Sequence, residues 1–171
     1  LVGNQSFHSS AINIDVTKRE IYQSNKAPQF FIEAEIDNYK PYRGQQITLK
    51  YTLYTQLNVS SFEDELPKYI GFWTEELFSA KKLQFREIIK NGSKYYASTI
   101  KKIALFPTKS GKIIIEPLTA IIGIRETQPS WNDFSLFGPP SKKYTISTEK
   151  IELNVQQLPD RLNGDISALV G

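Results

Sequence analysis

The chain has 171 residues but no cysteine, no methionine and a single histidine, His8. The missing cysteine removes disulfides, thiolate zinc sites and thiol nucleophiles together. It leaves the redox compartment open, because periplasmic domains often lack cysteine too. One histidine cannot by itself build a catalytic triad or a histidine metal cluster. The missing methionine marks the chain as a mature fragment or an excised piece. The lack of a signal peptide or membrane span therefore carries nothing about the full-length protein. No stretch approaches the ~20 apolar residues of a membrane helix. The formal charge is only +3, with lysines scattered among acids rather than concentrated as a nucleic-acid binder usually has them, so the excess is weak evidence for any polyanion partner.

What is present is period two. In "FFIEAEI", Phe30, Ile32, Ala34 and Ile36 share a face opposite Phe31, Glu33 and Glu35. In "ITLKYTLYT", Ile47, Leu49, Tyr51 and Leu53 oppose Thr48, Lys50, Thr52 and Tyr54. Half-buried strands require such alternation. Asn38, Pro41 and Gly44 supply loop chemistry between the two. "LQFREIIK" and "KYYASTIKKIALF" flank Asn91-Gly92, the signature of a tight hairpin. "KIIIEPLTAIIGIRE" places Leu118, Ala120, Ile122 and Ile124 on one face, and "KKYTISTEKIELNV" ends with Ile151, Leu153 and Val155 alternating. Two segments break the rhythm. Residues 56–82 show no sustained alternation, and "FWTEELFSAKK" reads as one short helix in the 72–82 region, stacking Phe72, Glu76 and Ser79. Residues 127–142 read as a loop bounded by Pro129, Pro139 and Pro140. The whole predicts an all-β chain, an immunoglobulin-like β-sandwich.

"FHSSAINIDV" repeats the pattern of "KKYTISTEKIELNV". Residues 1–26 are therefore expected to hold the last strand of a preceding immunoglobulin-like domain and a linker. Residues 27–157 would form the complete sandwich, and 158–171 an exit segment towards a following domain.

Catalytic chemistry is sparse. Lys109-Ser110-Gly111-Lys112 fails as a phosphate loop, because the Gly-x-x-x-x-Gly-Lys-Ser/Thr pattern and the following helix are missing. Pro107 and Gly111 instead bracket a turn. Glu63, Asp64, Glu65, Glu75 and Glu76 lack the spacing of a cation loop and read as solvated charge. Nothing selects a glycosidase pair from Asp15, Asp37, Asp133 and the glutamates. Tyr95, Tyr96, Phe106, Trp73, Trp131 and Phe137 could stack on a sugar or base, although large aromatics in a β-domain mostly build core. No cofactor is implied. The candidate protein contacts are Phe72 and Trp73, with Trp131, Phe134 and Phe137 in the 127–142 loop, since interface anchors are often aromatic. For Trp73 the favoured reading is a plug at one end of the sandwich. The alternative function, a carbohydrate-binding or adhesin-like domain, rests on Trp131, Phe134 and Phe137.

The order of motifs resembles the BatD family of bacterial oxygen-tolerance (aerotolerance) proteins. The resemblance lies in Tyr42-x-Gly44, Pro67, Gly71-Phe72-Trp73 with Glu75, Leu105 to Gly111 ("LFPTKSG"), Ile115-x-Pro117, Leu158-Pro159 and Ala168 to Gly171. It spans roughly residues 7–171. Gln45 stands where the family usually has Glu, and Leu169 separates Ala168 from Val170. The resemblance implies tandem immunoglobulin-like modules on the periplasmic side of the inner membrane. A C-terminal membrane helix outside this chain would anchor them. It also implies von Willebrand factor A-type envelope proteins as partners, a MoxR-type ATPase encoded nearby, and a non-catalytic scaffolding role in oxygen-stress tolerance. It carries no catalytic residue to transfer.

Overall fold

The computed structural model describes residues 28–125 and 141–158. These form ten strands and no helix: β1 (Phe30–Ile36), β2 (Ile47–Thr55), β3 (Val59–Glu65), β4 (Phe72–Ser79), β5 (Arg86–Lys90), β6 (Ser93–Pro107), β7 (Gly111–Ile115), β8 (Thr119–Arg125), β9 (Ser141–Ser147) and β10 (Ile151–Val155). The expected preceding strand in 7–16, the 127–140 part of the loop and the exit segment beyond Leu158 lie outside the described residues.

One sheet runs β1-β2-β6, all antiparallel, with β4 and β5 both paired to the far edge of β6. β4 pairs with the second half of β6, Phe72 opposite Pro107 and Ser79 opposite Lys101. β5 pairs with the first half, Arg86 opposite Ala97 and Lys90 opposite Ser93. The β5–β6 hairpin closes through Asn91 (φ 51°) and Gly92 (φ 75°). Positive φ at both central residues defines the primed turn whose twist matches its strands. The second layer contains β3-β8-β9 and β7-β10. These two pieces are consecutive, because β7 continues into β8 through Glu116–Leu118 and β9 into β10 through 148–150. Both strands kink at the same level, and the kink is tied: Thr148 N donates to Leu118 O at 3.0 Å, and Leu118 N donates to Thr148 Oγ1 at 3.0 Å. The free edge of β10 receives the segment after β1 in parallel. Asn154 N donates to Tyr39 O, Gln156 N to Pro41 O and Arg43 N to Gln156 O, at 2.7–3.0 Å. The chain thus leaves the first layer at Ile36 and lies against the second before returning as β2.

The core sits between the layers. Ile47, Leu49, Tyr51 and Leu53 from β2 and Ile103 and Leu105 from β6 meet Ile115, Leu118, Ala120, Ile122, Ile124 and Leu153 from the second layer. Each large apolar side chain removed from water in this way contributes about 1.5–3 kcal/mol. A second, smaller cluster lies on the outer face of the first sheet, where Phe31, Tyr54, Ile88, Tyr95 and Ala97 pack together. Phe31 stacks on Tyr54 at 4.8 Å, and Tyr95 donates its hydroxyl to Pro28 O at 2.9 Å. Lys90 covers the Tyr54 ring at 4.8 Å and pairs with Glu33 at 2.5 Å. The face that carries Glu33, Glu35, Thr48 and Lys50 is therefore partly apolar.

The expected helix at 72–82 is not formed. Residues 72–79 are β4, and the three-to-four spacing of Phe72, Glu76 and Ser79 arises from an edge strand interrupted by a bulge between Glu76 and Phe78. Residues 59–65, also without alternation, are β3. Both are edge strands, wetted on most sides, so neither face needs a consistent apolar pattern.

The tied kink yields a test. Replacing Thr148 by Val keeps the shape but leaves the buried Leu118 N–H without its acceptor. A loss of about 1–3 kcal/mol in urea unfolding is expected. Thr148→Ser, which keeps the hydroxyl, should lose clearly less.

Candidate interaction surface

Three segments far apart in sequence meet at one end of the sandwich. β6 ends at Pro107, and the corner Thr108-Lys109-Ser110 carries the chain across to β7 in the other layer. This crossing explains the proline-to-glycine punctuation at Pro107 and Gly111: it is an arch between layers, in which Lys109 is an exposed turn charge while Lys112 lies on β7 and pairs with Glu152. The corner is held from two sides. Gly44 N donates to Pro107 O at 2.9 Å. Thr108 N and Thr108 Oγ1 both donate to Gly71 O, at 2.9 and 3.0 Å. Gly71 has φ +89°, and a Cβ there would lie 3.2 Å from Lys109 Cε and 3.4 Å from Ile113 Cγ2. A side chain is opposed by both the backbone conformation and the close approach of the corner.

From this junction two apolar side chains point into water. Ile70 is 70% exposed and Trp73 is 58% exposed. Trp73 rests against Phe106 across the β4–β6 ladder, ring centroids 4.9 Å apart. Trp73 is therefore not a plug. β4 is the outermost strand of its sheet, so the outer-facing indole rests on Phe106 and stays largely in water. Phe72, the preceding residue, turns inward and packs half-buried against the core. Of the two described contact candidates, Trp73 presents a surface and Phe72 supports it.

Behind the junction lies a pair of phenols. Tyr51, wholly buried on β2, and Tyr69 share a hydrogen bond at 3.3 Å. Burial pushes both hydroxyls above the ordinary tyrosine range. For Tyr69 the Tyr51 hydroxyl adds to the shift, and for Tyr51 the bond to Tyr69 partly opposes it. Both are neutral at physiological pH and tie the loop before Gly71 to the core.

Trp131, Phe134 and Phe137 lie outside the described residues. The chain leaves for them at Arg125 and returns at Ser141, which pair with each other at the end of β8. That end is the opposite one. From Gly111 to Arg125 the second layer runs roughly 45 Å of extended chain at about 3.3 Å per residue. The two groups of aromatic candidates thus spring from opposite ends of the domain. Of the other aromatics, Tyr95 is buried in the outer cluster and Tyr96 is exposed.

The carboxylates do not assemble. Glu33 is held by Lys90, Glu35 by Lys50, Glu76 by Lys101 and Glu152 by Lys112. Glu63, Asp64 and Glu65 are solvated on β3. Among the described residues no three His, Asp or Glu side chains converge as metal ligands would, and no described helix is long and apolar enough to cross a membrane. Comparison of the chain with protein-family models, with curated proteins and with solved structures found no match.

Two outcomes check this geometry. In a Trp131→Phe background, the remaining Trp73 should show solvent-exposed emission that acrylamide quenches freely. A blue-shifted, protected spectrum would return it to the core. The phenol pair should fail to ionise in the folded state as pH is raised. The unfolded chain releases these protons near pH ~10 while the fold retains them, so stability is complete below that pH and falls above it. Absorbance titration should show Tyr51 and Tyr69 ionising only together with unfolding, and Tyr69→Phe should shift the alkaline transition upward.

Proposed function

We propose that this chain is a non-catalytic protein-interaction module of an envelope protein resembling the BatD family. It would serve on the periplasmic side of the inner membrane and support tolerance of oxygen stress by scaffolding a complex with von Willebrand factor A-type proteins. One observation carries the reading. Three motifs of that resemblance, Tyr42-x-Gly44, Gly71-Phe72-Trp73 and Leu105 to Gly111, are hydrogen-bonded into one corner, with Trp73 exposed on it. Residues that serve only folding have no need to present an indole to water, whereas an interface anchor does.

The immunoglobulin-like architecture belongs to the same proposal. Matched to the constant-type order, β1, β2, β6 and β4/β5 stand as strands A, B, E and D, and β3, β7/β8 and β9/β10 as C, F and G. The switch of the chain after β1 from the first layer to the edge of β10 supports this correspondence. In tandem modules such an order places the entry and exit of the chain at opposite ends. The carbohydrate-binding alternative rests on Trp131, Phe134 and Phe137, and a glycan array bears on it directly.

The test is capture of partners by the full-length protein in its native membrane. Recovery of a von Willebrand factor A-type protein is expected. Trp73→Ala should reduce it by about tenfold or more, as loss of an interface anchor does. Recovery of no such protein sinks the proposal.

A further inference from the structure

We propose that the edge of the first sheet over residues 77–86 is a docking groove for an extended, acidic segment of a partner protein. This rests on the interaction-module reading and names the chemistry of a partner for a second surface, at the other end of β4 from Trp73. The groove arises from a mismatch of lengths. β6 has fifteen residues, while β4 and β5, lying along its far edge, have eight and five. The connection Ala80–Phe85 spans the gap between them. Among the described residues two bonds hold it to β6, Ala80 N to Ile100 O at 2.8 Å and Gln84 N to Ser98 Oγ at 3.0 Å.

A concavity opens on each side of that connection. One, of about 500 Å³, lies against β6 and includes Phe78, Lys81, Lys82, Arg86 and Thr99 in its wall. The other, of about 310 Å³, lies against β3 and includes Ser60, Ser61, Phe62, Lys81, Lys82 and Phe85. Among the described residues no carboxylate lines either one. The two concavities beside β1 differ, being lined by Glu33, Glu35 and Asp37 in one case and by Glu33, Glu149 and Glu152 in the other. Lys81, Lys82 and Arg86 are all exposed, and none forms an ion pair among the described residues, where six such pairs hold other lysines. Three cations without an ion-pair partner among the described residues concentrate a positive potential that attracts carboxylates, and the hydroxyls of Ser60, Ser61 and Thr99 can donate to them.

Two features favour a peptide over other anions. Leu77, Phe78 and Phe85 are exposed beside the cations, and a free oxyanion makes no use of them. The basic stretch is also short, bounded by Glu75 and Glu76 before it and Glu87 after it. A nucleic-acid backbone would meet those carboxylates. An extended segment alternating acidic and apolar residues matches both features. β4 and β5 are also edge strands, so their outward backbone groups can pair with such a segment as an added strand.

The test uses the 171-residue chain and a short fluorescein-labelled peptide alternating Glu and Leu, followed by anisotropy. Saturable binding that weakens with added salt is expected, with no binding of the Lys-Leu counterpart. Lys81→Glu with Lys82→Glu should weaken it by about tenfold or more. Phe85→Ala should weaken it without altering the charge, and unchanged thermal melting verifies the fold of each variant. The proposal is overturned by absence of saturable binding, by indifference to the charge reversal, or by a heparin oligosaccharide or single-stranded DNA binding more tightly than the peptide. Failure of the two readings is separable. Native partner capture that needs Trp73 but withstands the Lys81/Lys82 reversal, with no peptide binding, removes the groove and keeps the module. Peptide binding lost on reversal, with no native partner captured, keeps the groove and removes the scaffold.

Discussion

Strand β6 is central in its sheet, with β2 along one edge over Tyr96–Leu105 and β5 and β4 along the other, and the rest of the domain is arranged around the need to pair both of those edges. A buried backbone group left without a partner costs about 1–3 kcal/mol, so the centre of the sheet cannot have gaps. β2 satisfies one edge almost continuously, with a single irregularity opposite Tyr51 and Thr52, where β6 gains one residue at Ile100. That extra residue shifts the alternation of the strand. It lets Ile100 and Ile103 both face the core, while Ala97 on one side of the shift and Ala104 on the other lie in the outer face. The second edge is satisfied piecewise by β4 and β5, and the break between them becomes the groove with Lys81 and Lys82 in its walls.

The same strand also fixes the exposed corner. Because β6 ends at Pro107 in one layer and β7 must begin in the other, the intervening residues cannot form a hairpin. They are held by chain from elsewhere: the Gly44 amide on one side and the Gly71 carbonyl on the other. Trp73, two residues beyond Gly71, is placed by this tether rather than by burial. The buried Tyr51–Tyr69 bond sets the opposite limit of the loop that carries Gly71. An exposed indole is thus mounted on a rigid base, which lowers the entropy lost when a partner orders it.

The legible parts of the fold are those where one face is buried and the other wet. β1, β2, the β5–β6 hairpin, β8 and β10 follow the alternation, and the Asn91-Gly92 turn follows from its dihedral demand alone. β3 and β4 were illegible for the same physical reason. "VSSFEDE" and "FWTEELFS" lie at sheet edges, where neither face is fully covered and a bulge resets the period. A chance recurrence of Phe72, Glu76 and Ser79 then imitates a helix. Trp73 was misplaced because the general tendency of large aromatics to be buried says nothing about whether a strand is central or outermost. The outer cluster was illegible because Phe31, Tyr54 and Tyr95 become neighbours only through the pairing of β1, β2 and β6. The basic groove could not be foreseen at all. Lys81 and Lys82 look like ordinary surface charge until the register of β4 and β5 on β6 puts a gap beneath them.

The outer strands are not equally guarded, and this asymmetry gives the strongest physical reason to look for contacts on one side of the molecule. Natural sheets protect exposed edges with charge, covering chain or short strands. β3 carries three consecutive acids, Glu63, Asp64 and Glu65. β1 has its glutamates engaged by Lys50 and Lys90 across its outer face. The free edge of β10 is covered by the 39–43 segment. The β4–β5 edge carries exposed Trp73, Leu77, Phe78 and Phe85, with its charges sorted into an acidic part and a basic part. An apolar, unshielded edge of this kind invites strand addition by any suitable chain, so it is a liability unless a specific partner occupies it. Sorted charge is a means of making that occupancy selective, because a segment of the wrong sign pattern meets repulsion at one part or the other. The unguarded edge and the mounted indole lie on the same strand, β4, so a single extended partner laid along it would reach both.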